Sequence, residues 1–319
     1  MRDHLPLDVE AVLGRGEFCY VASVTRHGPH VTPMVFALAG GRVWVTTSRG
    51  SVKARAWRLD PSVAGLVRAG DVSVAFTGTV RTFDLLEVDS WVRDLFEAPA
   101  LAVASTRFTR KNARFFAGYA VDARHVPLSW TPPGRVFTAI ELERVAVVDA
   151  SGVAETFGEW PRALTSVPRF RATRAGTGPL EGLPDDVRSP LGESGEGALA
   201  LEGPDGSVVL PAGWTAQGGG LYAALAREAL ELAGLPEATS RAAFAIDRPS
   251  WWRARNMTGA MVRGTGEVVV PEALVSGAAS ASRIARAAGV THAAAAVVRL
   301  RAEQLVWWRG WSSGTVAVA

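Results

Sequence analysis

His27-Gly-Pro-His-Val-Thr-Pro-Met-Val-Phe-Ala-Leu-Ala-Gly-Gly-Arg-Val-Trp44 returns, altered, as Asp205-Gly-Ser-Val-Val-Leu-Pro-Ala-Gly-Trp-Thr-Ala-Gln-Gly-Gly-Gly-Leu-Tyr222. The two stretches align without a gap at an offset of 178 (Gly28 on Gly206). Val31 falls on Val209, Pro33 on Pro211, Phe36 on Trp214, Gly41 on Gly219 and Trp44 on Tyr222. An internal repeat changes the reading of the whole chain. Here it implies two copies of one domain, fused.

The residues that follow differ sharply between the copies. Copy one continues Thr46-Thr-Ser-Arg-Gly-Ser-Val-Lys-Ala-Arg55, a dense set of hydroxyls and cations. At the same offset Ser48 meets Ala226, Ser51 meets Ala229, Lys53 meets Glu231 and Arg55 meets Ala233. The second copy has lost these polar groups and reversed one charge. If the cluster grips an anion, only copy one does so.

At 319 residues the chain has the length of two ordinary domains. The net charge of +3 is mild, and no Lys/Arg run exceeds two residues, which argues against a nucleic-acid partner. The single cysteine, Cys19, permits no intrachain disulfide and sits in an apolar run as a small hydrophobe. The N-terminal residues carry no apolar leader, and no stretch approaches the roughly 18 apolar residues of a membrane span. A cytoplasmic protein is the expectation.

Short strands separated by Gly-rich turns dominate the first half. Apolar runs at 18–24, 31–38, 43–47, 63–67, 72–81 and 137–148 read as strands, with helices at 8–15 (Asp8 as its cap) and 51–59. Ala39-Gly-Gly41 is a hairpin signal. This arrangement predicts an antiparallel sheet closing into a barrel. Residues 85–125 read as a helical insertion without a clear counterpart in copy two. The expected organisation is a first domain over 1–150, a linker over 151–194 rich in Gly, Pro, Ser and Arg, and a second, degenerate domain over 195–319. Arg263-Gly-Thr-Gly in the second resembles Thr77-Gly-Thr in the first.

The hairpin 28–44, the segment Val45-Thr-Thr-Ser-Arg-Gly-Ser-Val-Lys-Ala-Arg55 and the closing Leu59-Asp-Pro-Ser-Val63 resemble the split β-barrel flavin fold of the pyridoxamine 5'-phosphate oxidase-like superfamily. The tail Val306-Trp-Trp-Arg-Gly-Trp-Ser-Ser-Gly-Thr315 is similar to the end of such proteins. The resemblance implies a mainly β fold with helices (α+β): two fused split β-barrel domains forming an intrachain pseudo-dimer. Members of this superfamily usually pair as homodimers and hold FMN, the deazaflavin F420 or occasionally haem between the barrels. A fused chain would carry its own interface, so the expectation is a monomer with one site per chain. The function implied is an FMN- or F420-dependent oxidoreductase moving a hydride to or from a small-molecule substrate. The alternative is a flavin- or haem/tetrapyrrole-binding protein without turnover.

A cofactor phosphate needs charge-assisted donors, which Lys53 and Arg55 would supply, with Thr47, Ser48 and Ser51 adding hydroxyls at a helix start. The alternative for the cations is a solvated helix face. Val31, Thr32, Pro33 and Met34 run along the neighbouring strand and would offer backbone groups to a flat ring. From copy two, Trp308, Arg309 and Trp311, with Trp307, are candidates to cover the ring, against the alternative of core packing. Arg253, Arg255 and Asn256 either bind an anion or pair with acids. Arg49, Arg58 and Arg68 would form the basic groove that the polyanionic tail of F420 needs. Arg107, Arg110, Lys111 and Arg114 make the insertion basic, most simply as a solvated face. His27 and His30 lack a third metal ligand, so no metal site is expected. His30 and His125 are the candidate haem ligands. No nucleophile triad, P-loop or dinucleotide motif occurs, and no catalytic residue is legible.

Overall fold

The computed structural model describes residues 5–84, 96–127, 134–149, 151–161, 178, 180–217, 219–234, 239–250, 252–269, 278–290 and 295–318. The first barrel contains β1 (Phe18–Thr25), β2 (Gly28–Ala39), β3 (Arg42–Ser48), β4 (Ser62–Ala69), β5 (Val72–Phe83), β6 (Arg135–Asp149) and β7 (Gly152–Phe157). Their order is β3-β2-β1-β4-β5-β6-β7, all antiparallel, and pairing of β3 with β6 closes the first six into a barrel. The second barrel repeats this with β8 (Ser194–Gly203), β9 (Gly206–Gln217), β10 (Gly220–Ala226), β11 (Thr239–Arg248), β12 (Thr258–Val268), β13 (Ala295–Arg309) and β14 (Ser312–Ala317). Its order is β10-β9-β8-β11-β12-β13-β14, closed by β10 with β13. The chain is therefore two fused split β-barrels, as the repeat implied. The repeat hairpins coincide at the offset of 178: β2 and β9 begin at Gly28 and Gly206, β3 and β10 end at Ser48 and Ala226.

Two glycine features show how sequence sets this geometry. The β2–β3 turn places Gly40 and Gly41 at φ 58° and 68°, the left-handed values that a two-residue hairpin demands. Gly78 and Gly264 sit where β5 and β12 shift register. A Cβ at either would collide with the carbonyl of the facing strand, Glu141 or Arg301. The similarity of Thr77-Gly-Thr to Arg263-Gly-Thr-Gly is thus a shared β-bulge.

Phe36 and Trp214, aligned by the repeat, are both fully buried, each inside its own barrel. In β1 the alternation divides two cores. Cys19 and Val21 face the first barrel's interior. Tyr20 and Ala22 join Val31, Ala64 and Leu66 in a core continuous with the second barrel. Both faces of β1 are buried, which is why its sequence is apolar throughout. The Tyr20 hydroxyl donates to Asp247 Oδ1 at 2.9 Å across this buried interface.

The helices are α1 (Leu7–Arg15), α2 (Val52–Leu59), α3 (Ala98–Lys111), α4 (Ala113–Val121), α5 (Asp185–Leu191), α6 (Arg227–Leu232) and α7 (Ala278–Ala287). The N-cap of α1 is Pro6, not Asp8, which lies in its first turn. The stretch expected as linker carries β7 and α5, and 162–177 fall outside the described residues. The expected insertion is α3 and α4 between β5 and β6, with 85–95 outside the described residues. Its place in copy two, between β12 and β13, is taken by α7. No helix among the described residues is long and apolar enough to cross a membrane.

Candidate functional site

Strand β3 ends at Ser48, and the chain turns into α2 three residues after Arg49, at Val52. Ser51 caps that helix: its hydroxyl accepts the Ala54 N–H at 3.1 Å and lies 3.1 Å from the Thr47 hydroxyl. The first N–H groups of a helix have no partner within it, so its head is electropositive. At the second residue of α2, Lys53 bends back over β2. Its Nζ donates to the Thr32 carbonyl at 3.4 Å and to the Thr32 hydroxyl. Only 4% of Lys53 is exposed. No carboxylate pairs with it among the described residues. Burial pushes its pKa down to about 7.

These groups line one end of a cavity of about 900 Å³. Thr32, Pro33, Met34 and Val35 of β2 lie along it, with Thr46, Thr47 and Ser48 of β3 and Ser51 and Lys53 of α2. Arg135, at the start of β6, also lines it and braces β3, donating to the Thr46 carbonyl at 2.8 Å and the Thr46 hydroxyl at 3.1 Å. Burial lowers the pKa of Arg135, while Tyr119 works the other way. The far wall is aromatic: Phe108 of α3, Phe115, Phe116 and Tyr119 of α4, and Phe137 of β6. The second barrel contributes Met257.

The expected residues divide accordingly. Thr32, Pro33, Met34, Thr47, Ser48, Ser51 and Lys53 come together in the cavity. Arg55 is exposed on α2 and does not line it. Val31 is buried in the inter-barrel core, its N–H donating to Met261 Sδ at 3.2 Å. Trp308 packs against Gly259 of the neighbouring strand, and Arg309 pairs with Asp186 of α5. Trp311 stands edge-on to Tyr119, centroids 5.1 Å apart, one residue removed from the cavity. Trp307, on the opposite face of β13, packs on Gly314 of β14. Arg255 pairs with Asp122 at 3.3 Å, the structural pairing of the two alternatives. His30 does not line the cavity, and burial with Lys53 and Arg263 nearby pushes its pKa down to about 3. His125 is exposed. Neither candidate haem ligand therefore reaches the cavity. Among the described residues no group of three His, Cys, Asp or Glu could hold a metal ion.

Sequence reasoning missed Arg135, Met257 and the cavity-facing role of the aromatic helices. Phe115 and Tyr119 share a helix face at i and i+4, a signal that could have been read against Phe108. Nothing local marks Arg135 or Met257, which arrive from β6 and the other barrel.

The pseudo-equivalent place in copy two holds a cavity of about 430 Å³. Pro211, Ala212, Gly213, Ala224, Leu225 and Ala226 stand where Pro33, Met34, Val35, Thr46, Thr47 and Ser48 line the first. Asp71 reaches it from the first barrel, as Met257 reaches the other. Beyond the end of α7, the Ala288 carbonyl presses on Gly213 so closely that no side chain fits there. Helix α6 begins directly after Ala226, without a side-chain cap.

Two features stand together: a fused pair of split barrels, and a cavity in the first lined by Lys53, Arg135 and a group of hydroxyls. Residues 7–130 match the sequence model of the family pyridoxamine 5'-phosphate oxidase. Over its first barrel the chain is similar to that family, and the second barrel repeats the same strand order. No curated relative matches the sequence. Among solved structures it is similar to general stress protein 26 of Bacillus anthracis, at 15% identity over 47% of this chain and 94% of that one, TM-score 0.30. An F420 reductase is similar at 21% identity over 44% and 98%, TM-score 0.30. A pyridoxamine 5'-phosphate oxidase-related, FMN-binding protein of Nostoc punctiforme is similar at 15% identity over 43% and 75%, TM-score 0.31.

Proposed function

We propose that the chain is a flavin-dependent oxidoreductase that binds one FMN per molecule in the 900 Å³ cavity of the first barrel. One observation carries this reading: Lys53 is buried at the head of a helix with no carboxylate paired to it among the described residues, in a cavity large enough for a ligand. A buried ammonium without a counter-charge is costly, and an anion arriving beside it restores the balance. The residues fit a phosphate. Lys53 supplies the charge, the hydroxyls of Thr47, Ser48 and Ser51 supply short donors, and the α2 N-terminus supplies N–H groups and dipole. The β2 backbone over 32–35 then lies beside a flat ring. Bound there, FMN would supply hydride or electron transfer to a small molecule. The chain's own residues orient the partners and exclude water, and none needs to act as nucleophile.

FMN is favoured over F420 by the state of the arginines that would hold a polyanionic tail. Arg49 lies 2.6 Å from Asp84, and Arg58 lies 4.0 Å from the same carboxylate. Arg68 is engaged by Glu196 at 3.1 Å and by the Gly197 carbonyl. The test is titration of the purified protein with FMN and with F420, followed by absorption and flavin fluorescence. One equivalent of FMN per chain is expected, weakened about a hundredfold or more by Lys53→Met. Equal binding by that variant, or two equivalents per chain, would overturn the proposal, and tighter binding of F420 would transfer it to the deazaflavin.

A further inference from the structure

The cavity is larger than one ligand at its polar end requires. At about 900 Å³ it lies near the top of the range for small-molecule sites. Much of its wall has a different chemistry: Phe108, Phe115, Phe116, Phe137 and Met257 line it, with the hydroxyls of Ser105, Thr109 and Tyr119 among them. The rings are set against each other, with Phe108 edge-on to Phe137 at 5.4 Å and Phe115 tilted to Tyr119 at 5.3 Å. Tyr119 makes no hydrogen bond among the described residues, although it borders the cavity and is near Arg135.

Helix α4, which carries three of these rings, is held by the second barrel. Gly118 meets the Trp252 carbonyl so closely that no side chain fits between them. Asp122 at its C-terminal end takes Arg255, and Trp311 abuts Tyr119. Copy two offers a natural contrast. Where its polar cluster is gone, no aromatic helix stands among the described residues, and the alanine-rich α7 with the carbonyl after it narrows the space. Hydroxyl–cation cluster and aromatic wall occur together or not at all, as two halves of one working site would.

We propose that the aromatic half is the substrate chamber. It takes a planar, aromatic molecule bearing an oxygen acceptor and no positive charge, and Tyr119 donates the hydrogen bond that orients it. Flat rings stack against the phenylalanine faces, while no carboxylate among the described residues lines the cavity to attract a cationic substrate. Burial holds the Tyr119 hydroxyl protonated, its pKa pushed up to about 12, so it is a donor throughout the physiological range. Arg135 lies behind it and keeps the polar side of the chamber positive. The assignment rests on the FMN reading only in giving the polar half to the phosphate.

Binding of three probes to the full chain, with and without FMN, tests it: 2-acetonaphthone (flat, with an acceptor), naphthalene (flat, without one) and cyclohexyl methyl ketone (acceptor, not flat). Dissociation constants come from fluorescence or calorimetric titration. The ketone of naphthalene is expected to bind about tenfold tighter than either control. Tyr119→Phe should erase its advantage over naphthalene, a loss of about fivefold to tenfold for one hydrogen bond, and leave FMN affinity unchanged. Phe116→Ala should weaken both naphthalene probes. Equal affinity of all three probes would overturn the proposal. So would a tenfold loss of FMN affinity in Tyr119→Phe, since the aromatic half would then hold the flavin ring itself. Failure of FMN to bind wild type would instead sink the flavin reading, while the probe comparison would still decide the chamber.

Discussion

Lys53 links burial, charge and ligand in one side chain. Free of ligand it titrates near 7, well below an ordinary lysine, because burial disfavours its ammonium. The folded chain therefore binds fewer protons at this site than the unfolded chain between pH 7 and about 10.5. Its contribution to stability accordingly rises with pH across that window. A bound phosphate reverses the preference and draws a proton onto Nζ. Calorimetric titration with FMN at pH 8 in Tris and in HEPES, whose ionisation heats differ, should show net proton uptake. Uptake should vanish in Lys53→Met. Identical heats in both buffers would remove Lys53 from the phosphate. Cys19 behaves as its place in an apolar run implied: buried, with its thiol pushed up to about 12 and so inert near neutrality.

At the scale of elements, α2 and the bulges carry testable weight. Ser51 joins two tasks, since the hydroxyl that caps α2 also faces the cavity. Ser51→Ala should cost about 1 kcal/mol in urea denaturation through the lost cap. It should also weaken FMN binding. Ser51→Asp should restore the cap but not the affinity, because a second anion would face the phosphate. Gly78→Ala and Gly264→Ala each set a methyl against a carbonyl of the partner strand. Each should destabilise by about 1–3 kcal/mol, measured in the same way. The shift of register at these glycines bends β5 and β12 and so lets each sheet close.

For the whole molecule, one apolar core joins residues of both barrels, and the proposal is that it leaves the chain monomeric. A monomer of 33.7 kDa is expected in sedimentation, and a mass near twice that would contradict it. The buried Tyr20–Asp247 bond gives this interface a pH dependence. Burial raises the Asp247 pKa from 3.8 to about 6. The folded chain thus binds more protons there between those values. Stability from this group is fully present below pH 3.8 and is lost as pH rises through about 6. Asp247→Asn keeps an acceptor for Tyr20 without the charge. Relative to wild type its Tm should be higher at pH 8 and the difference should shrink by pH 4.5. A difference independent of pH would show that Asp247 is not titrating in the interface.

The chain's own residues determined the duplication, the strand order of each hairpin, the turns and the asymmetry of the polar cluster. These rest on local physics: apolar period, positive-φ glycines and a helix-capping serine are written at the positions that use them. The same locality exposed Thr32, Pro33, Met34, Thr47, Ser48, Ser51 and Lys53, which lie on one hairpin and the helix after it. Tertiary structure alone decided which remote groups complete the cavity. Arg135 arrives through closure of β3 on β6, Met257 through packing of the second barrel, and Tyr119 through a helix pinned by Asp122, Gly118 and Trp311. It also decided that Arg309 pairs with Asp186 and that Trp308 faces a neighbouring strand. A strand's alternation says that two faces exist. Only the packing of the whole chain says which one meets a ligand.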